Sequence, residues 1–359
     1  MYSNRNNLIR ERMAEAGLDA LLVSSLPNIY YLTGYTGSTA KLVITAEHMW
    51  FLTDFRYHEQ FAQQCFDGYE LVDNTGKKLV ENVLPELIGD RGGMQLGFES
   101  AHLPHTEYAK LNAAAGWKTI PTESWVEDLR IVKDEGEIER IRAAVLLGER
   151  VFTELMGVIV SGTTEADLAA EIHFRALKYG AQGYSFNPII ASGINAAKPH
   201  AGFTSQKLQP GLPLTIDMGV ALDGYMSDMT RTVFLKDCPP QWETIYGIVR
   251  EAKDKAFAAV KPGLLGKDID AVARDYINGA GYEGKFGHGL GHGVGIEVHE
   301  QPTLSALGVK ELGPGMVITN EPGIYLPGEG GVRIEDVFVV REGGAENLNT
   351  LNTAVLVVG

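Results

Sequence analysis

Cysteine is nearly missing from this chain. Cys65 and Cys238 stand far apart among 359 residues, which excludes a disulfide framework and fits a reducing compartment. No apolar run reaches the roughly eighteen residues that suggest a membrane span. The opening stretch MYSNRNNLIRERMAEAG is polar and helical in pattern, without the apolar centre of a signal peptide. Positive charge is also scarce: 31 Lys+Arg against 46 Asp+Glu leave a formal net charge of −15. A basic stripe for nucleic acid is therefore absent. These absences predict a cytoplasmic protein with neither a membrane nor a nucleic-acid partner. What remains is an ordinary globular composition, 45% hydrophobic, in a chain long enough for two domains.

Leu8, Ile9 and Met13 sit at helical spacing before Gly17. LDALLVSS, NIYYLTGYTG, KLVIT and HMWFLTDF then read as strands, joined by Asp67 to Asn74 and MQLGFES, with a helix from about His105 to Ala115. The alternation predicts a small α/β domain over residues 1–131. His48, His58, His102 and His105 are scattered among its polar residues and read as surface groups. Between Arg130 and Glu135 the character changes. An amphipathic helix from Gly136 presents Ile138, Ile141, Val145, Gly148, Phe152 and Leu155 on one face. A second helix opens at Thr164 with Asp167 three residues on, a capping-box signal, and turns Ala169, Ile172, Ala176 and Tyr179 inward. Trp242 to Val260 and Asp268 to Asn278 repeat the pair, and VSGTTEADLA lies in register with KPGLLGKDID. The pattern predicts an internal duplication, helix pair then strands, within residues 132–359, and an α+β class overall.

The stretch GHGLGHGVGIEVHE, Gly287 to Glu300, packs His288, His292 and His299 into a glycine-rich run. The glycines are read as backbone freedom that aims the imidazoles. Such a cluster serves a metal, acid–base chemistry, or both, and carboxylates decide which. In LPLTIDMGVALDGYMSDMTRTVF, Asp217 lies on the polar face of one strand and Asp228 shares a face with Thr230 and Thr232 on the returning one. Two carboxylates side by side repel unless a cation or proton lies between them; otherwise both are exposed. MVITNEPGIYLPGEGGVRIEDVFVV repeats the design with Glu321 and Glu335. Arg333, two residues before Glu335 on the same face, is expected to hold it by a charge-assisted hydrogen bond. Four carboxylates and one histidine make an oxygen-rich set suited to Mn²⁺ or Co²⁺, with Zn²⁺ also accommodated. They exceed the needs of one ion, so two divalent metal ions per chain are expected.

The series Asp217, Asp228, His292, Glu321, Glu335, carried by DMGVALDGYMSDMTRT, GHGLGHGVG, EPGIY and VRIED, resembles the dinuclear signature of the pita-bread metallopeptidases. The N-terminal domain and the helix opening KDEGEIERIR resemble the aminopeptidase P and prolidase branch. This resemblance implies a creatinase-N-like domain before a pita-bread catalytic domain, with those five residues as ligands and Asp228 and Glu335 bridging. Proline-containing peptides would be the substrates, and a water held between the ions the nucleophile. Glu321 would also shuttle a proton, while His200, His288 and His299 line the substrate site and Arg333 supports the last ligand. A homodimer is implied too. Some prolidases carry an arginine four residues beyond the histidine matching His299; Thr303 stands here. That departure points to Xaa-Pro aminopeptidase scope, with Xaa-Pro dipeptidase as the alternative. A metal-free binding module of the same fold is more distant, since all five ligands are kept.

Overall fold

The apolar run Ala20–Val23 is buried along its whole length, near the middle of a six-stranded sheet. The computed structural model describes every residue except Asp90, Arg91 and Ala115, and the chain divides into Met1–Arg130 and Ile131–Gly359. In the first unit the strand order is Glu70–Asp73, Met49–Thr53, Lys41–Thr45, Ala20–Val23, Met94–Glu99, Trp117–Thr122. Ala20–Val23 runs antiparallel to Lys41–Thr45 and parallel to Met94–Glu99. Helices flank the strands in sequence, among them Tyr2–Glu15 and His105–Ala113; the expected helix end at Ala115 lies outside the described residues. His48, His102 and His105 are exposed and His58 half-buried.

One expected strand is a helix. NIYYLTG belongs to Leu26–Thr33, which begins behind Ser25 with proline in its first turn and ends at Gly34 with φ +83°. Proline at the start and a left-handed glycine after the end are helix punctuation, and they outweigh the aromatic, β-prone content between them. Asn28, Ile29 and Leu32 are buried at helical spacing.

In Ile131–Gly359 the same plan occurs twice. Helix Glu135–Leu155 is capped by Asp134, whose carboxylate accepts the Glu137 N–H while Glu137 answers at the Asp134 N–H. Helix Glu165–Lys178 opens with a second capping box, Thr164 and Asp167. Their apolar faces pack with the sheet Ile189–Ser192, Pro213–Met218, Met229–Leu235, joined at its edge by Leu356–Val358. Helices Pro240–Ala259 and Gly266–Ile277 then build a separate core with Val317–Asn320 and Asp336–Arg341, whose sheet also holds Gly291–Gly293, Glu300–Leu304 and Gly344–Asn347. In each half the helix pair precedes a central antiparallel strand pair flanked by one earlier strand.

The halves meet along Met229–Leu235. The Glu335 N–H donates to Thr230 O at 3.0 Å. The Arg333 N–H donates to Thr232 Oγ1 at 3.1 Å, and that hydroxyl reaches Arg333 O at 3.0 Å. Arg231, buried, donates to the Glu335 carbonyl at 2.6 Å and to Asp336 at 2.7 Å, where Lys253 pairs with the other oxygen. This seam gathers the residues of the site.

Candidate metal centre

Asp223 and Gly224, with φ +48° and +74°, form the tight turn that returns the chain after Asp217. The strands beyond it pair Asp217 with Thr230 and Met218 with Met229. Asp228, just before the returning strand, therefore lies diagonal to Asp217 rather than opposite it. Glu321 follows strand Val317–Asn320, and Glu335 sits between Gly330–Arg333 and Asp336–Arg341. Ligand-capable atoms of Asp228, His292 and Glu335 all fall within 4.8 Å of one another. His292 Nε2 lies 3.6 Å from Asp228 Oδ2 and 3.5 Å from Glu321 Oε1. Asp217 faces the same cavity, of about 840 Å³, which His200, His288, His299 and Arg333 also line. All the residues singled out from the sequence are thus gathered around one cleft.

The donors fit a cation. Oδ1 of Asp217 and Oδ1 of Asp228 are buried without a hydrogen-bond partner, which is costly unless a positive charge supplies the missing contact. Burial, then the neighbouring Asp217 and Glu321, raises the Asp228 pKa well above the usual carboxylate range. Burial, then Asp228, Glu321 and Asp217, does the same to Glu335, and Glu321 is pushed up to about 8, chiefly by burial. Carboxylates so placed hold either protons or a metal, and a divalent ion reverses the preference. Burial lowers His292 to about 4, keeping it neutral. Its Nδ1 lies 3.0 Å from Gly293 O; a carbonyl only accepts, so the proton sits on Nδ1 and Nε2 offers its lone pair toward the carboxylates.

Two expectations require correction. Arg333 does not hold Glu335: its Nη2 donates to Asp217 at 2.6 Å, its Nε to Thr230 Oγ1 at 3.1 Å, and its Nη1 to Tyr325 OH at 2.8 Å and Pro199 O at 3.0 Å. The Glu335 carboxylate instead accepts the Thr230 hydroxyl at 2.7 Å, because its backbone is turned onto the other half. His288 lines the cleft, as expected, and both of its ring nitrogens are hydrogen-bonded. Nδ1 donates to Gly289 O at 2.8 Å, and Nε2 meets Tyr325 OH, also at 2.8 Å; burial lowers its pKa to about 4, so it is neutral and both nitrogens are spent. His200 and His299 are exposed, and their rings have no hydrogen-bond partner among the described residues; His299 stands edge-on to His292 at 4.4 Å. The second correction concerns the glycines. None of those from Gly287 to Gly295 has a positive φ. They supply space: a Cβ on Gly291 would lie 2.1 Å from Thr319 O, and one on Gly293 2.2 Å from Gln301 O.

Tyr325 and Thr230 complete the arrangement and were not singled out from sequence. EPGIY held the first in plain view, but its partners His288 and Arg333 are tertiary. In the sequence Thr230 shows only as sharing a face with Asp228.

Residues 139–342 match the model of metallopeptidase family M24, and residues 5–132 match the Creatinase/Prolidase N-terminal domain. The chain belongs to metallopeptidase family M24. It is 34% identical to the Xaa-Pro dipeptidase of Pyrococcus horikoshii over 95% of both sequences. Among solved structures, the Xaa-Pro dipeptidase from Bacillus anthracis superposes with a TM-score of 0.94 at 35% identity, covering 100% of each chain. The X-Pro aminopeptidase from Thermotoga maritima gives 0.91 at 34%, covering 99% of this chain and 100% of its own. The pita-bread fold and a metal-dependent hydrolase follow, and membership in M24 implies divalent metal ions. No helix among the described residues is long and apolar enough to cross a membrane.

Two outcomes follow from the packing. Gly291→Ala forces its methyl against the backbone of Val317–Asn320 and should cost about 1–3 kcal/mol in denaturant unfolding, with weakened metal binding because His292 is displaced. The second concerns acid lability. His288 titrates near its ordinary 6.5 when unfolded and about 4 when folded, so the unfolded chain binds the extra proton between those values. Its stabilising share is full above 6.5 and is lost as pH falls toward 4. His288→Gln should show a smaller fall in melting temperature than the parent between about pH 7 and about pH 5.

Proposed function

We propose that this M24 peptidase hydrolyses the Xaa-Pro peptide bond with two divalent ions held by Asp217, Asp228, His292, Glu321 and Glu335. The observation that carries the reading is the convergence of these carboxylates, two with orphaned buried oxygens, on a neutral His292 at the floor of one cleft. When bound, such ions supply a water acidic enough to attack near neutral pH. Glu321, beside His292 and less deeply paired than Glu335, is the group placed to take a proton and return it to the departing nitrogen. His200 and His299, with free ring nitrogens, donate to the developing oxyanion. Arg333 locks Asp217 and, through Tyr325, keeps His288 in one tautomer; His288 then acts as cavity wall rather than as donor. Phe186, Pro188, Ile189 and Phe203 make the cleft apolar. That suits proline, whose tertiary amide offers no N–H to bind.

Dipeptides are the favoured substrates, supported by the names of the P. horikoshii and B. anthracis relatives. A second reading, release of Xaa from longer Xaa-Pro chains, is favoured by Thr303. It lines the cleft in place of a carboxylate-binding arginine, and Arg333, the one lysine or arginine among the described lining residues, is committed to Asp217. The T. maritima relative's name agrees with this second reading. Mn²⁺ or Co²⁺ as the ions, a homodimer and a cytoplasmic location belong to the same proposal and rest on the donor set, the family resemblance and the acidic, cysteine-poor composition.

With Mn²⁺, Co²⁺ or Zn²⁺ loaded, Ala-Pro should be cleaved faster than Ala-Pro-Gly-Gly. Rapid cleavage of the tetrapeptide with Ala-Pro left intact establishes the second reading. Elemental analysis should find two ions per chain. Glu335→Ala should fall to one or none and lose at least about a hundredfold in kcat, whereas full loading with full activity removes the dinuclear reading.

A further inference from the structure

Helix Glu165–Lys178 begins with a carboxylate that the chemistry above does not use. Glu165 is completely buried, and no cation pairs with it among the described residues. Its Oε1 accepts the Ser192 N–H at 2.7 Å. Its Oε2 accepts both the N–H and the hydroxyl of Thr204, at 2.8 and 2.6 Å. Asn195 Nδ2 reaches both oxygens, at 3.3 and 3.2 Å, and also Gly202 O at 3.2 Å. A buried anion without a counter-ion survives only where several donors converge, helped here by the N-terminal end of its own helix.

Every one of those donors belongs to a single segment, 192–204. The segment leaves strand Ile189–Ser192, forms the cleft wall at Pro199, His200, Gly202 and Phe203, and returns past the helix start, where the Ala166 N–H donates to Thr204 O at 3.0 Å. The His200 ring makes no hydrogen bond to any described residue, so its position is that of the segment. Arg333 Nη1 fixes the preceding carbonyl, Pro199 O. The other half repeats the device. Buried Asp270 accepts the Leu290 N–H at 3.0 Å and pairs with Arg274, which donates to Phe286 O and His288 O at 2.7 Å each.

We propose that Glu165 is a positioning residue: its carboxylate ties the two ends of segment 192–204 together and so sets where His200 stands in the cleft. The catalytic consequence rests on the reading of His200 as a substrate-side donor. Glutamine is the informative replacement, since it keeps the volume but puts an NH₂ where one set of N–H and hydroxyl donors now finds an oxygen.

The test compares Glu165→Gln, Thr204→Val, His200→Ala and the double variant Glu165→Gln/His200→Ala as metal-loaded full-length enzymes. It records kcat and KM on Ala-Pro and Ala-Pro-Gly-Gly, metal content, and the His200 Cε1–H resonance, assigned by its loss in His200→Ala. Glu165→Gln should keep its metal, shift the His200 resonance and lose about tenfold to a hundredfold in kcat/KM, and the double variant should be no worse than His200→Ala. Losses that multiply, or an unmoved His200 resonance, overturn the proposal. If His200→Ala is fully active while Glu165→Gln still shifts the resonance, the positioning stands and the role given to His200 falls. Should Glu165→Gln fail to fold, Thr204→Val decides: it removes one hydroxyl donor, and an unchanged His200 resonance there refutes the idea.

Discussion

Gathering Asp217, Asp228, Glu321 and Glu335 in one buried cleft sets negative charge against negative charge in a medium that screens poorly. The catalytic unit is arranged around that repulsion. Arg333 neutralises one oxygen of Asp217, the Thr230 hydroxyl satisfies one of Glu335, and the remaining unpartnered oxygens face the position a cation would take. Each donor comes from the opposite half to the carboxylate it serves: Arg333 from the second half reaches Asp217 in the first, and Thr230 from the first reaches Glu335 in the second. The duplication thereby supplies crossed support, which neither half could provide alone.

Much of this was legible in the residues. Alternation set the face of Asp217, the Asp223–Gly224 turn set the hairpin that brings Asp228 diagonal to it, and the repeated helix pairs announced two similar halves. The illegible parts share a cause. The partner of Arg333 lies in the other half, and a period-2 pattern reports which face a side chain takes, not what crosses over to meet it. Glu335 lies two residues from Arg333, on the same face by alternation, and that pattern pointed to it. The helix Leu26–Thr33 hid behind its aromatic content, because local punctuation by Pro27 and Gly34 outweighed it. The glycines around His292 serve closeness rather than freedom: sequence shows the lack of a side chain, but only packing shows which of the two is needed.

Of the four histidines around the carboxylates, three are held in different ways. His292 is fixed by a carbonyl at its own ring, His288 by a chain through Tyr325 to Arg333, and His200 through its backbone alone. Rigid support at the metal end and looser support at the substrate end suit a site that must keep ions permanently and admit peptides transiently.

The backbone bond from Glu335 N–H to Thr230 O gives the centre a particular vulnerability. Glu335 and the seam share one peptide unit, and Phe234 of the Thr230 strand is packed in the second core, so any fluctuation that parts the halves moves Glu335 and disturbs that core together. Loss of the cluster and loosening of the second core are then one coupled event, set by the stability of a single strand.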